Sequence, residues 1–165
     1  MSIPEALSGL LPWSRSCFVC GEANPHGLRL RSRLEGGKVV LEHVTRDADR
    51  GWKHIVHGGI TMTLLDEVMA WAAIVRSQAP CVAAELTTRL LRPIEVGARL
   101  RVEGEVTGGR PRLLLTAGRV LGEDGQVLAT AEGKYVRMPE GHGLRAEDFV
   151  SGSGALDVRR LMPSL

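Results

Sequence analysis

Between Gly58 and Val75 the chain is apolar at almost every position, and Ile60, Leu64, Val68, Trp71 and Val75 form a stripe at helical spacing. Met62, Met69, Ala70, Ala73 and Ile74 fill most of the remaining circumference, so the pattern predicts one long helix buried on nearly all sides. Gly58-Gly59 opens this helix and Pro80 closes it off. After Pro80 the period shortens to two. Residues 82–91, 100–106, 113–120 and 127–136 read as strands, separated by turns at Pro93–Gly97, Gly108–Pro111 and Gly122–Gly125. These four are expected to form an antiparallel meander. Ahead of the helix, Leu28, Leu30 and Leu34 begin an alternation, and Gly36-Gly37 predicts a hairpin turn into Val39, Leu41 and Val44. Residues 45–56 read as a polar loop. One long central helix enclosed by an antiparallel sheet satisfies both halves of the pattern and places the chain in the α+β class.

Composition narrows the setting more than the chemistry. At 165 residues the chain is long enough for one domain with a proper core. Hydrophobic and charged fractions of 44% and 24% are ordinary for a globular protein, and a net charge of +2 gives no reason to expect a nucleic-acid partner. No uninterrupted apolar run approaches the roughly 20 residues that span a bilayer, so no membrane partner is expected. Three cysteines, an odd number, argue against a disulfide framework and make a cytoplasmic location the expectation. Three segments are expected: an N-terminal arm or weak helix over 1–16, the domain over 17–138, and a loosely packed C-terminal extension over 139–165.

The chemistry concentrates on the helix. Asp66 and Glu67 lie within its apolar sequence, where a carboxylate is costly unless paired or used. Asp66 shares its side with Met62, Met69, Ala70 and Ala73, which leave room beside it, whereas Glu67 projects near Ile60, Trp71 and Ile74. Either acid, once desolvated, suits a general base or nucleophile; the plainer alternative is pairing with arginines at an interface. Gly58 and Gly59 begin the helix, where backbone N–H groups lack internal partners and the dipole favours negative charge. That suits a carbonyl oxygen becoming an oxyanion, although two glycines also make an ordinary tight junction. Gly58 and Asp66 stand eight residues apart, about 12 Å along a helix axis, so one carbonyl cannot touch both. If both serve one reaction, they come from different subunits of an antiparallel dimer.

Other candidates are weaker. Cys17 and Cys20 have C-x2-C spacing, but no second close pair exists and His26, His43 and His54 are scattered, so no metal site and no cofactor are expected. Arg89 and Arg92 follow the helix on a strand and suit phosphate, or simply face solvent.

The segment His57-Gly58-Gly59 with Asp66 nine residues after the histidine resembles the signature of hotdog-fold acyl-CoA thioesterases of the phenylacetate-pathway and 4-hydroxybenzoyl-CoA type. Cys17–Leu28 is similar to the CxxCGxxNPxGL stretch of many members, and Ala84–Pro93 to their strand after the helix. The resemblance covers about residues 17–138. It implies a hotdog fold and hydrolysis of an acyl or aryl CoA thioester. Asp66 would be the nucleophile or general base, Gly58 the oxyanion-hole amide, and His57 an orienting group. Gly59, Glu67, Thr87, Arg89 and Arg92 would contact the substrate. A homodimer or homotetramer with a shared site is implied as well. Two family positions differ: a polar residue six before the histidine is Gly51 here, and a partner-strand hydroxyl is Ala83, for which Thr87 or Glu85 is a substitute. A hotdog enoyl hydratase or dehydratase and a non-catalytic acyl-CoA sensor are the alternatives.

Overall fold

The computed structural model of the chain describes residues 7–151 and 154–165. In chain order its elements begin with β1 (Gly9–Leu10), β2 (Trp13–Ser14), β3 (Ser32–Glu35), β4 (Lys38–Val44), β5 (Arg50–Trp52) and β6 (Ile55–Val56). Helix α1 (Gly58–Ser77) follows, then β7 (Cys81–Leu90), β8 (Arg99–Arg110), β9 (Leu113–Leu121), β10 (Val127–Arg137), β11 (Phe149–Val150) and α2 (Val158–Leu161). Seven strands make one antiparallel sheet in the order β1-β3-β4-β8-β9-β10-β7, and α1 packs against β4, β7, β8, β9 and β10. This is the expected arrangement of an antiparallel sheet around one long helix.

Local chemistry explains the main features. Gly36 and Gly37 both take positive φ between the paired Glu35 and Lys38, the two-residue turn that matches the twist of a hairpin. Leu64, Leu65, Val68, Met69 and Ala72 are sealed from solvent at the centre of the core. The helix can lie this close because Gly104 sits beneath it: a Cβ there would come within 2.7 Å of the Val68 carbonyl. By length and composition α1 qualifies as a bilayer-spanning helix, a property that counting uninterrupted apolar runs misses. In this fold half of that apolar stretch is buried and Met62 is exposed, so the helix is covered by the sheet on one side and not, as its sequence predicts, on nearly all sides.

Three further expectations are corrected. The last four strands are not a consecutive meander: β8, β9 and β10 are, but β7 pairs with β10 at the far edge, because the β3–β4 hairpin occupies the free edge of β8. The C-terminal segment is not loosely packed. Val158, Leu161 and Met162 are buried in the core, β11 pairs with β2, and Ala155 bridges Leu10. Apolar residues at i and i+3 of a short helix suffice to dock it, despite the Gly and Ser around it. The predicted N-terminal arm holds two short strands over its described part, not a helix, while residues 1–6 lie outside the described residues.

Candidate functional site

His57 is the N-cap of α1, and its Nδ1 accepts the Gly59 N–H at 2.9 Å. A ring nitrogen that accepts carries no proton, so in the neutral ring the proton is on Nε2, facing outward as a donor. Gly59 has to be glycine for this: an added Cβ would stand 2.9 Å from His57 Nδ1 and displace the cap. The Gly58 N–H takes no acceptor among the described residues. It is one of the first-turn donors that a helix cannot satisfy, at the positive end of the dipole. An open groove of about 310 Å³ passes this end of the helix, lined by Gly58, Thr61, Leu90, Leu91 and Arg92.

A buried cluster holds the turn in place. His43 Nε2 and Asp49 Oδ2 are 2.7 Å apart, and Arg46 donates to the same carboxylate through its backbone and its guanidinium. Burial works to raise the Asp49 carboxyl, but hydrogen bonds from Arg46 and His43 outweigh it and keep the group below its ordinary range. The carbonyl of Asp49 then accepts the His57 N–H at 2.8 Å. Gly51, where the family resemblance implies a polar residue, lies flush against this backbone: a Cβ there would be 3.0 Å from the His57 Cα. No side chain of any size fits at that position without a shift.

Asp66 is half-buried, and its Oδ1 accepts the Tyr135 hydroxyl at 2.6 Å. Tyr135 is fully buried. That burial, then the hydrogen bond and the charge of Asp66, push its phenol well up, so it remains a donor. The sequence reading missed Tyr135. Its signal was the inward alternation of Ala131, Gly133 and Tyr135 along the last strand, which makes the chain's single tyrosine face the helix acid. The β7–β10 register slips beside Lys134 and Tyr135, so that Tyr135 stands across from Ala83 on the helix side. The hydroxyl absent from Ala83 is thus present one strand over.

The remaining candidates separate. Thr87 and Arg89 pair with Glu132 and Thr130, whose neighbours Ala131 and Ala129 are the buried, helix-facing residues. Thr87 and Arg89 therefore point to the outer face, where they line a groove with Glu103 and Arg119. Helix-facing positions on β7 are Leu86, Thr88 and Leu90. Arg92 alone of the two arginines shares a groove with Gly58.

Glu67 projects about 100° around the helix from Asp66, away from the sheet-facing Leu65 and Met69. It accepts the Trp71 indole N–H at 3.1 Å and lies against Cys17 and Cys20, the three ligating atoms all within 4.8 Å of one another. Burial, followed by the charges of Cys17 and Asp66, pushes its carboxyl up to about 7. The Cys17 thiol is drawn down to about 6, chiefly by a hydrogen bond from Cys20 and also by backbone N–H groups. The Cys20 thiol moves the opposite way. Among the described residues, Cys17, Cys20 and Glu67 are the side chains disposed to hold a metal. His26, His43 and His54 take no part: His43 is committed to Asp49 and His54 reaches Glu95.

Residues 53–129, from the loop before α1 into β10, match the thioesterase superfamily. Among solved structures, a thioesterase superfamily protein is 29% identical with a TM-score of 0.65, covering 74% of this chain and 60% of its own. The phenylacetic acid degradation protein PaaI of Thermus thermophilus, in a mutant form, is 25% identical with a TM-score of 0.57, covering 61% of this chain and 85% of its own. An acyl-CoA hydrolase mutant from Staphylococcus aureus, in complex with coenzyme A, is 20% identical with a TM-score of 0.60, covering 62% of this chain and 65% of its own, a likeness of fold. The chain thus spans 60% of the length of the first of these relatives. No match was found among curated proteins.

Proposed function

We propose that this chain is a hotdog-fold thioesterase that hydrolyses an acyl- or aryl-CoA thioester, R–CO–S–CoA + H2O giving R–COOH and CoA, a reading supported by the match of residues 53–129 to the thioesterase superfamily. The Tyr135–Asp66 hydrogen bond carries the reading. It turns Oδ1 of the helix carboxylate toward the protein, while Oδ2 takes no hydrogen bond among the described residues and is left for a water or a thioester carbon. Asp66 acts as nucleophile or general base. The Gly58 N–H, unsatisfied within its own helix, meets the oxyanion in the groove it lines, and His57 caps the turn that presents it.

Gly58 and Asp66 belong to different sites. With about 12 Å of helix between them, each carbonyl is served by Gly58 of one subunit and Asp66 of the other. Two antiparallel copies make two such sites. Arg92, beside Gly58, is placed for a phosphate of CoA. The relative seen with coenzyme A has the same fold and supports the substrate class.

Thiol release from a panel of CoA thioesters tests the proposal. Asp66→Asn should lose nearly all turnover while its size in solution is unchanged. Full activity in that variant would sink the assignment. Binding of the thioester without turnover by the natural chain would make it a sensor instead.

A further inference from the structure

We propose that Cys17, Cys20 and Glu67 form a binding site for a zinc ion, with a fourth coordination position left to water. The site is separate from the chemistry assigned to Asp66 and lies on a different face of the helix, about 100° around from it.

The C-x2-C turn is built as a thiolate ligand loop. Val19 and Cys20 direct their backbone N–H groups onto the Cys17 Sγ, at 3.3 and 3.4 Å. Two N–H donors on one sulfur favour its charged form, which is the form that ligates. The loop is held from both sides: Leu28 and Leu30 donate to the carbonyls of Phe18 and Val19, and Arg31 donates to the carbonyl of Cys20. Gly21 completes it, since a Cβ there would meet the Arg15 and Cys17 carbonyls at 2.4 and 2.5 Å. The turn that carries both sulfurs is therefore in place before any ion arrives.

Glu67 is the ligand that sequence spacing did not show. It comes from the middle of α1 and has one oxygen anchored by the Trp71 indole. Around a tetrahedral zinc, with bonds near 2.3 Å to sulfur and 2.0 Å to oxygen, ligand atoms lie about 3.5–3.8 Å apart. The three atoms here are all within 4.8 Å of one another, so side-chain rotation alone closes the site. Two thiols and a carboxyl converging in a largely buried space are costly as charges. A divalent cation compensates all three at once, and binding releases the protons they hold. Two thiolates select zinc over magnesium or calcium. The ion would clamp the Cys17–Gly21 turn onto the helix one residue from Asp66.

Cobalt(II) titration of the reduced full chain tests this, with zinc as competitor. The expected result is one equivalent bound, with a thiolate-to-cobalt charge-transfer band and tetrahedral d–d bands, both abolished by one equivalent of zinc. Cys17→Ser and Cys20→Ser should weaken binding by on the order of 100-fold or more. Glu67→Gln should keep the charge-transfer band but bind more weakly with altered d–d bands. Cys81→Ser, remote from the cluster and hydrogen-bonded to Ser77, should match the natural chain, as should Asp66→Asn, so the outcome is independent of the thioesterase proposal. The absence of stoichiometric cobalt bands from the natural chain overturns the inference even if the serine variants fail to fold. So does a Glu67→Gln variant with unchanged affinity and spectrum, or a Cys17–Cys20 disulfide that persists under reductant.

Discussion

Replacing Tyr135 by Phe removes one oxygen and nothing else. The ring stays in place, fully buried against the helix, so no cavity of consequence opens. What disappears is the 2.6 Å hydrogen bond to Asp66 Oδ1, with a longer 3.2 Å one to the Asp66 main-chain carbonyl. A hydrogen bond to a charged acceptor contributes about 1.5–3 kcal/mol, and a carboxylate deprived of it is free to rotate away from the reacting carbon. If that contribution is realised in the transition state, kcat/KM should fall roughly 10- to 150-fold. Thiol-release kinetics on the best substrate measure this, and denaturant unfolding of the Tyr135→Phe, Asp66→Ala and double variants closes a thermodynamic cycle. The two changes should couple by about 1.5–3 kcal/mol, since the tyrosine has no charged acceptor once Asp66 is gone. Additivity within about 0.5 kcal/mol would refute the pairing, and a fully active Tyr135→Phe enzyme would refute its part in catalysis.

Two further changes probe the scaffold. Gly59→Ala should push the His57 ring off the helix start, costing about 1 kcal/mol of stability as a lost N-cap and lowering turnover more than it raises KM; a variant with unchanged turnover would leave His57 without a catalytic part. Glu103 provides a pH test. Burial works to raise its carboxyl, but Arg101 and Arg119 hold it at about 2, below the ordinary carboxylate range. A depressed folded pKa contributes stability that is present above the unfolded value, near 4.3, and is lost as pH falls toward 2. Unfolding free energy measured from pH 6 down to pH 2 should drop by roughly 3 kcal/mol more in the natural chain than in Glu103→Gln. Parallel curves for the two would show that the cluster adds nothing.

Periodicity made the main architecture legible. An apolar stripe with a filled circumference admits only a helix that something else encloses, and alternation after Pro80 supplied the enclosing strands. Helix and strand boundaries fell within a few residues of the observed ones, since the turn glycines and prolines act locally. Strand order was not legible in the same way. Whether β7 lies beside β8 or β10 depends on which edge the β3–β4 hairpin takes, and no residue of β7 encodes that choice. The docking of the tail also escaped, because Val158, Leu161 and Met162 make a short apolar face whose partner lies far away in sequence.

The candidate site divides along the same line. His57, Gly58, Gly59 and Asp66 lie on one helix, where rise and rotation per residue are constants, so their spacing already showed that Gly58 and Asp66 cannot serve one carbonyl. By itself the sequence determined that helix and its acid. Contacts between elements far apart in the chain were decided by the tertiary structure. Tyr135 reaches Asp66 across 69 positions, and Thr87 and Arg89 are turned to the outer face by their register on β10. Glu67 is joined to Cys17 and Cys20 by the way the N-terminal turn lies on α1. Such pairings follow from strand order, register and packing, which are properties of the whole chain and are written in no single segment of it.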